Sequence, residues 1–319
     1  MLRWILTYLS QAKWARSIVQ NWGFAKRTAS RFVAGETLDQ AIEVVKSLNA
    51  SGINTTLDHL GENINSSEEA SQAAGEILEI IDRLKTENVS SGVSIKLSQI
   101  GLVIDLALCE ENLLRIFQHA KDQRIFVRVD MEDSSLTQTT LDLFSRVVGQ
   151  GYGDYAGIAI QAYLYRSEDD VRELLKLGTR IRLCKGAYKE PRTIAYPKKD
   201  QVDQKFDRLT DLLLERSQEL DIQISQDGRI PPIPAIATHD QERVDHTLES
   251  SRKLSINKAN LEFQMLHGIR EDIQADLVKN GYPVRVYVPY GKEWYPYFVR
   301  RLAERPANLW FFLSNLLRR

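Results

Sequence analysis

The chain has 319 residues, of which 43% are apolar and 27% charged, and its formal net charge is −1. This composition is typical of a folded globular protein and excludes a disordered or fibrous one. The near-neutral charge argues against a nucleic-acid-binding protein, which would show a basic excess. Two cysteines fit a reducing compartment and no disulfide framework, so we expect a cytoplasmic protein.

Eight short apolar runs recur along the chain, and each predicts a β-strand. The runs are INTTLDHLG from residue 53, VSIKLSQIG from 93, IFVRVDMED from 125, GIAIQAYL from 157, RIRLCKGAY from 180, PAIATHD from 234, NLEFQMLHG from 260 and VRVYVPYG from 284. Most are rich in Val and Ile, as strands buried on both faces tend to be. Stretches of helical period, such as 67–85 and 203–220, lie between them. The alternation predicts an α/β fold, a (β/α)8 barrel of the TIM type.

Nearly every predicted strand ends in a reactive polar residue. These are Asp58, Lys96, Asp130, Gln161, Lys185, Thr238, His239, Gln264 and Tyr287. Since barrel enzymes place their chemistry at the carboxyl ends of the strands, the pattern indicates an enzyme. A non-catalytic binding or membrane scaffold would leave those ends chemically idle.

Several cofactor classes lack their sequence signatures. The chain has neither a GxxxxGK[ST] phosphate loop nor a GxGxxG that follows a strand. Its five histidines form no HxH or HExxH pair, so we expect no metal.

The segment 295–308 carries the strongest local constellation. On a helix, Tyr297, Arg300, Arg301 and Glu304 share one face. Two guanidiniums beside a phenol form a fork for a carboxylate, with the ring packed on the rest of a small ligand. The alternative is an exposed helix with an Arg–Glu pair that does little.

The fifth predicted strand carries two cations, Arg182 and Lys185, on opposite pleat faces. One therefore points into the barrel while the other turns to its rim. Together with the backbone at Gly186 they are suited to an anionic cofactor such as a dinucleotide diphosphate.

The motifs SIKLSQIG, RVDMED, QAYL, RLCKGAYKEP, ATHD, EFQMLHGI and RVYVPYG followed by YFVRRLAE resemble the proline dehydrogenase family, from about Gly61 to Asn308. The length resembles the compact monofunctional bacterial form, with no aldehyde dehydrogenase module after the barrel. The resemblance implies oxidation of L-proline to Δ1-pyrroline-5-carboxylate by hydride transfer to noncovalent FAD. This would be the first step of proline catabolism to glutamate, with a quinone reoxidising the flavin.

The resemblance also implies roles for individual residues. Those expected to contact FAD are Asp130, Gln161, Arg182, Lys185, Gly186, Ala187, Tyr188, Thr238, His239 and Gln264. Those expected to bind proline are Lys96, Leu266, Tyr287, Tyr297, Arg300 and Arg301, and all of these except Leu266 are catalytic candidates, together with Asp130. Lys96 and Asp130 would form a charged pair, and Glu62 would close the site against an arginine of the RR helix. Asp240 stands where the family often has Asn.

The two ends of the chain differ from its middle. We predict an N-terminal helical extension over 1–50, the catalytic barrel over 51–308 and a tail over 309–319. Residues 1–35 contain six basic residues and three Trp but no Asp or Glu. The tail is apolar with a basic end. We favour helices packed outside the barrel. The alternatives are peripheral contact with the inner face of a membrane and, for the N-terminus, a transit peptide.

A Schiff-base lyase or aldolase is the alternative function. It would also place a lysine at the end of a barrel strand, and Lys96 or Lys185 would serve. Such an enzyme would be colourless and trapped by borohydride with a carbonyl substrate, whereas a flavoprotein is yellow.

Overall fold

The computed structural model of the protein describes residues 29–61, 64–220, 225 and 227–304, with backbone only for Arg300 and for 302–304. The tail 309–319, most of the predicted N-terminal extension and the predicted gate Glu62 lie outside the described residues. Within the described part, no helix is long and apolar enough to cross a membrane.

Eight parallel strands close into a barrel in chain order, which confirms the predicted (β/α)8 fold. The strands are β1 (Asn54–His59), β2 (Ser91–Ile95), β3 (Val127–Val129), β4 (Ala156–Gln161), β5 (Arg180–Cys184), β6 (Pro234–Ala237), β7 (Glu262–Leu266) and β8 (Val284–Tyr290). The helices are α1 (Leu38–Ala50), α2 (Ser67–Thr86), α3 (Leu106–Gln123), α4 (Ser134–Val148), α5 (Ser167–Lys176), α6 (Lys199–Ser217), α7 (Gln241–Lys253), α8 (Glu271–Lys279) and α9 (Trp294–Glu304). The second predicted run changes conformation midway, since Leu97–Ile100 forms a 3-10 helix.

Short polar side chains start most of the helices. Those that accept a hydrogen bond from a backbone N–H of the first turn are Thr37, Ser66, Asp105, Asp133 and Asp240. Such N-caps satisfy donors that have no partner within the helix. They fix where each helix leaves the loop above its strand, and therefore the shape of the barrel mouth.

The two faces of the strands are both buried, but they differ in chemistry. Paired residues on the outer face are apolar, as in Leu57 with Val93 and Phe263 with Val284, and they pack under the helices in the main core. The residues of the alternate parity are small or polar. They include Asp58, Ser94, Arg128, Gly157, Arg182, Ala235, Glu262, Gln264 and Arg285. The Val and Ile residues of the sequence runs therefore belong to the outer face, and the polar inner face is not apparent from them.

Three arginines occupy the lower part of the barrel interior. Arg285 pairs through Nε with Glu262 at 2.9 Å and donates through Nη1 to the Thr55 carbonyl at 2.7 Å. Arg128 donates to the Arg180 carbonyl at 2.9 Å, and Arg180 donates to the Pro231 carbonyl at 2.9 Å. Backbone carbonyls therefore satisfy much of this buried polar layer, as burial requires.

The segment 227–231 closes the amino-terminal end of the barrel. Ser90 Oγ donates to the Asp227 carbonyl at 2.9 Å, and Arg285 also donates to the Gly228 carbonyl. Gly228 has φ +70°, and a Cβ there would collide with the side chain of Asn54. A glycine is thus required for this close approach.

The helix that follows β8 does not lie in the barrel wall. The position beside β1 and β8 is taken by α1, which packs on both strands. Helix α9 instead packs at the carboxyl ends of the strands against Leu60, Ile269 and Phe32. The backbone before α1 is held there too, because the Ala34 amide donates to the Pro289 carbonyl at 2.8 Å. This arrangement places the predicted substrate helix over the mouth.

We expect Gly157→Ala to destabilise the barrel. A Cβ at this position would lie 2.6 Å from the Arg180 carbonyl oxygen and 3.0 Å from Arg128 Nη1. Overpacking of this kind costs about 1–3 kcal/mol in the free energy of unfolding, measured by urea denaturation. Gly153→Ala is the matched control, because its Cβ would meet only Val148 Cγ1, at 3.7 Å. Equal stability of the two variants would contradict the interior packing described here.

Candidate active site

Arg182 crosses the barrel interior from β5 and joins three other strands. Its Nε donates to Gln264 Oε1 at 2.6 Å, its Nη1 to Asp130 Oδ1 at 2.6 Å and its Nη2 to Ser94 Oγ at 3.1 Å. The side chain is 8% exposed. A guanidinium has five N–H donors, so these bonds leave one N–H on each terminal nitrogen.

Asp130 is shared between Arg182 and Tyr287. Tyr287 Oη donates to Asp130 Oδ2 at 2.7 Å, and the Arg182 Cζ lies 5.2 Å from the centre of the Tyr287 ring. Burial, reinforced by the negative charge of Asp130, holds the pKa of Tyr287 well above its ordinary value. The phenol therefore stays protonated and serves as a donor.

Lys96 lies between two carboxylates. Its Nζ is 3.2 Å from Asp58 Oδ1 and 4.0 Å from Asp130 Oδ2. The expected pair with Asp130 is therefore the longer of the two contacts. Sequence reasoning placed Asp58 at a strand end but gave it no role. Because β1 and β2 are neighbours in a parallel barrel, the ends of these strands bring Asp58 and Lys96 together, and this neighbourhood could have predicted the ion pair.

Gln161 ends β4 with its amide turned toward the mouth. Its Nε2 donates to the Met131 carbonyl at 3.3 Å and the Glu132 carbonyl at 3.1 Å. Its Oε1 is buried and has no hydrogen-bond partner among the described residues. A buried acceptor without a partner is costly, so this atom is a candidate to accept a hydrogen bond from a ligand.

The rim beyond β5 is fixed by an ion-pair cluster. Lys185 Nζ contacts the carboxylates of Asp203 in α6 and Asp240 at the start of α7, the latter at 2.7 Å, and Lys199 joins both aspartates. Lys185 thus turns away from Arg182, as the pleat parity predicted. Gly186, with φ +112°, packs directly on the Tyr163 ring, where a Cβ would clash.

Three further residues expected at the cofactor bond to other parts of the protein. Thr238 Oγ1 accepts from the Asp240 amide at 3.1 Å. His239 Nε2 accepts from the Leu266 amide at 2.9 Å, which assigns any neutral-ring proton to Nδ1. Gln264 lies deeper than expected, because its amide bridges Arg182 and Glu262 inside the barrel. Ala187 and Tyr188 are exposed at the rim.

Helix α9 covers this mouth with two of the predicted substrate residues. Tyr297 is buried, and the Arg301 Cζ lies 5.0 Å from the centre of its ring. Leu266, at the end of β7, packs on the same cluster. The side chain of Arg300 lies outside the described residues, so the two-arginine fork stays a prediction, as does the Glu62 gate.

Two glutamates that the sequence did not single out brace the loops of the site. Glu132 accepts from the amide and hydroxyl of Ser98. Glu190 accepts from the amide and hydroxyl of Ser134. These carboxylates fix the RVDMED segment relative to the 3-10 helix after β2 and the KGAYKEP segment relative to the start of α4. Among the described residues, no group of three or more His, Cys, Asp or Glu could hold a metal ion.

Known proteins resemble this chain over most of its length. The proline dehydrogenase family profile matches residues 41–313. The chain is 39% identical over 319 residues to proline dehydrogenase 1 of Bacillus subtilis, with all of both chains covered. It is 39% identical over 295 residues to the proline dehydrogenase of Deinococcus radiodurans, covering 91% of this chain and 90% of that one.

The chain belongs to the proline dehydrogenase family. A solved structure of proline utilization A from Bdellovibrio bacteriovorus, inactivated by N-propargylglycine, superposes with a TM-score of 0.80 at 28% identity. This chain is 91% covered and spans 33% of that longer protein. The predicted family, oxidoreductase class and barrel fold are confirmed.

The Lys185 cluster should make stability depend on acid pH. Burial would raise the pKa of Asp203 and of Asp240, but hydrogen bonds from Lys185 and Lys199 outweigh it and lower both pKa values. The ion pairs therefore stabilise the fold above the unfolded pKa of about 3.9 and are lost as pH falls through the lower folded values.

We expect the double variant Asp203→Asn with Asp240→Asn to be less stable than the natural chain at pH 7. The difference in the free energy of unfolding should shrink below about pH 4. Urea titrations between pH 3 and 7 measure it, with the exposed Asp122→Asn as control. A difference that does not change with pH would refute the assignment.

Proposed function

We propose that the protein oxidises L-proline to Δ1-pyrroline-5-carboxylate with FAD as its cofactor, as the first step of proline catabolism to glutamate. The observation that carries the proposal is the network of Arg182, Asp130 and Tyr287 at the mouth of a barrel of this family. Helix α9, with Tyr297 and Arg301, lies across that mouth.

Proline is a small zwitterionic ring, so its site must combine opposite charges with an apolar slot. Arg301, together with Arg300, supplies the cation for the carboxylate. Tyr297 and Leu266 supply the apolar surface for the ring. Asp130 and Lys96 lie on the barrel side, so the substrate is held between the strand ends and α9. Covering it with a helix also excludes water.

The residues present fit an FAD. Gln161 Oε1 would accept a hydrogen bond from the edge of the flavin ring. Arg182 has N–H donors beyond those that hold Gln264, Asp130 and Ser94. The rim residues 185–188, with Thr238 and His239, would hold the rest of the nucleotide. When bound, FAD supplies the acceptor for the hydride that leaves the ring carbon beside nitrogen.

Arg182, Asp130 and Tyr287 orient one another for this chemistry. Each oxygen of Asp130 accepts one hydrogen bond, from Arg182 and from Tyr287 respectively. The protein holds the reacting carbon against the cofactor and need not move any of these groups. We propose a quinone as the final electron acceptor and a cytoplasmic location for the protein.

The structure favours this function over a Schiff-base lyase. Lys96 is ion-paired with Asp58, and Lys185 with Asp203 and Asp240. Forming a Schiff base on either lysine would break those pairs. Arg182 and Gln161, moreover, would have no task in such a reaction.

The visible spectrum of the purified protein tests the proposal. We expect a flavin absorption that L-proline bleaches in the absence of oxygen and that D-proline leaves unchanged. Borohydride with a carbonyl compound should label neither Lys96 nor Lys185. A protein that binds no FAD even after incubation with it, or a bound flavin that L-proline does not reduce, would overturn the proposal.

Arg301→Met should mainly weaken substrate binding. Losing a charge-assisted hydrogen bond to a carboxylate costs roughly 1.5–3 kcal/mol, so KM for proline should rise by about ten- to a hundredfold. FAD content should not change, because Arg301 lies on α9 and not on the strand ends. Arg229→Met, at the amino end of the barrel, is the control. If Arg301→Met keeps its KM, the fork is wrongly assigned.

A further inference from the structure

The barrel interior holds more cations than carboxylates among the described residues. Three cations have a carboxylate within 3.2 Å. The pairs are Lys96 with Asp58, Arg182 with Asp130 and Arg285 with Glu262. Arg128 and Arg180 remain, and Arg180 has Asp154 at 3.8 Å.

Arg128 is buried with no carboxylate of the described residues in direct contact. It is 1% exposed, and no carboxylate of the described residues lies within 4.0 Å of it. Its Nη1 donates to the carbonyls of Arg180 at 2.9 Å and Ile158 at 3.3 Å, and its Cζ lies 5.0 Å from the centre of the Phe126 ring. Its Nη2 is buried and has no hydrogen-bond partner in the described part of the chain.

A guanidinium in this place is a stability liability. Burying a charge is expensive, and an apolar side chain of similar volume is often better tolerated. The fold nevertheless makes room for it, because Gly157 leaves open the space that Arg128 fills. The guanidinium of arginine is protonated at neutral pH, so the interior carries its charge there.

That charge lies below Arg182 on the path to the mouth. Arg128 precedes Asp130 by two residues on β3, and on the same inward face it pairs in register with Ser94, the acceptor of Arg182. Burial, and next the charge of Arg182, holds the pKa of Arg128 well below its ordinary value. The two guanidiniums therefore interact through the barrel interior, where charges are weakly screened.

We propose that Arg128 raises the reduction potential of the bound flavin, a role that rests on the proposed FAD site. Two electrons and one proton pass from the proline ring carbon to the flavin, which thereby gains one negative charge. A fixed positive charge beneath Arg182 stabilises that product more than the neutral oxidised ring. Arg128 is thus a tuning residue that touches neither substrate nor cofactor.

Arg180 offers a matched comparison. It is also buried, but it donates to the Pro231 and Gly153 carbonyls toward the amino end of the barrel and has Asp154 nearby. Its charge is therefore farther from the mouth and partly offset.

The experiment is a dye-coupled anaerobic titration of the FAD-loaded enzyme without proline. Arg128→Met should lower the potential by about 30 mV, equivalent to a tenfold change in the equilibrium constant of a two-electron couple. Arg128→Lys, which keeps the charge and loses the guanidinium geometry, should stay near the natural value, as should Arg180→Met. Thermal melting should show Arg128→Met to be no less stable than Arg128→Lys.

Arg128→Gln, which is neutral but keeps an N–H donor, repeats the test if the Met variant does not fold. The inference fails if a neutral variant keeps the natural potential, if Arg128→Lys falls equally, or if neither neutral variant folds while Arg128→Lys does. These outcomes differ from failure of the proposed function, in which the natural chain itself binds no flavin or is not bleached by L-proline.

Discussion

The placement of Arg182 across the barrel axis is the constraint on which the site depends. A long cation inside a closed barrel needs acceptors on facing strands, and Ser94, Asp130 and Gln264 supply them from β2, β3 and β7. Their positions follow from the register of the strands. The geometry of the mouth therefore depends on how the barrel closes. A change in the pairing of any of these strands would disconnect Arg182 from its partners.

The position of α9 also depends on which helix fills the barrel wall beside β1 and β8. Because α1 covers β1 and β8, α9 is released from the wall and packs over the strand ends. Residues before α1 support it through Phe32 and Val33. The substrate helix is therefore held over the mouth by residues near the amino-terminal end of the described chain.

The sequence predicted the barrel because strand and helix periods alternate, and it predicted the strand-end residues because parallel strands bring their carboxyl ends together. It did not predict the polar interior. The Val and Ile of the outer face dominate each run, and the single arginines between them read as interruptions. Asp58, Asp203 and Glu190 were missed as structural partners because their contacts join segments distant in sequence. The place of α9 depends on which helix fills the wall, and periodicity does not encode that choice.

The hydrogen bonds of the polar interior offset the desolvation of its buried charges. Most buried guanidinium donors meet backbone carbonyls or carboxylates, so desolvation is largely offset within the barrel. The outer face contributes the apolar burial that stabilises the whole. Because the apolar outer face supplies most of the stability, the inner face can hold charged residues. Arg128 is held only by carbonyls and an aromatic ring, so its charge adds nothing to the packing, and the proposed effect on the flavin is the role that it leaves open.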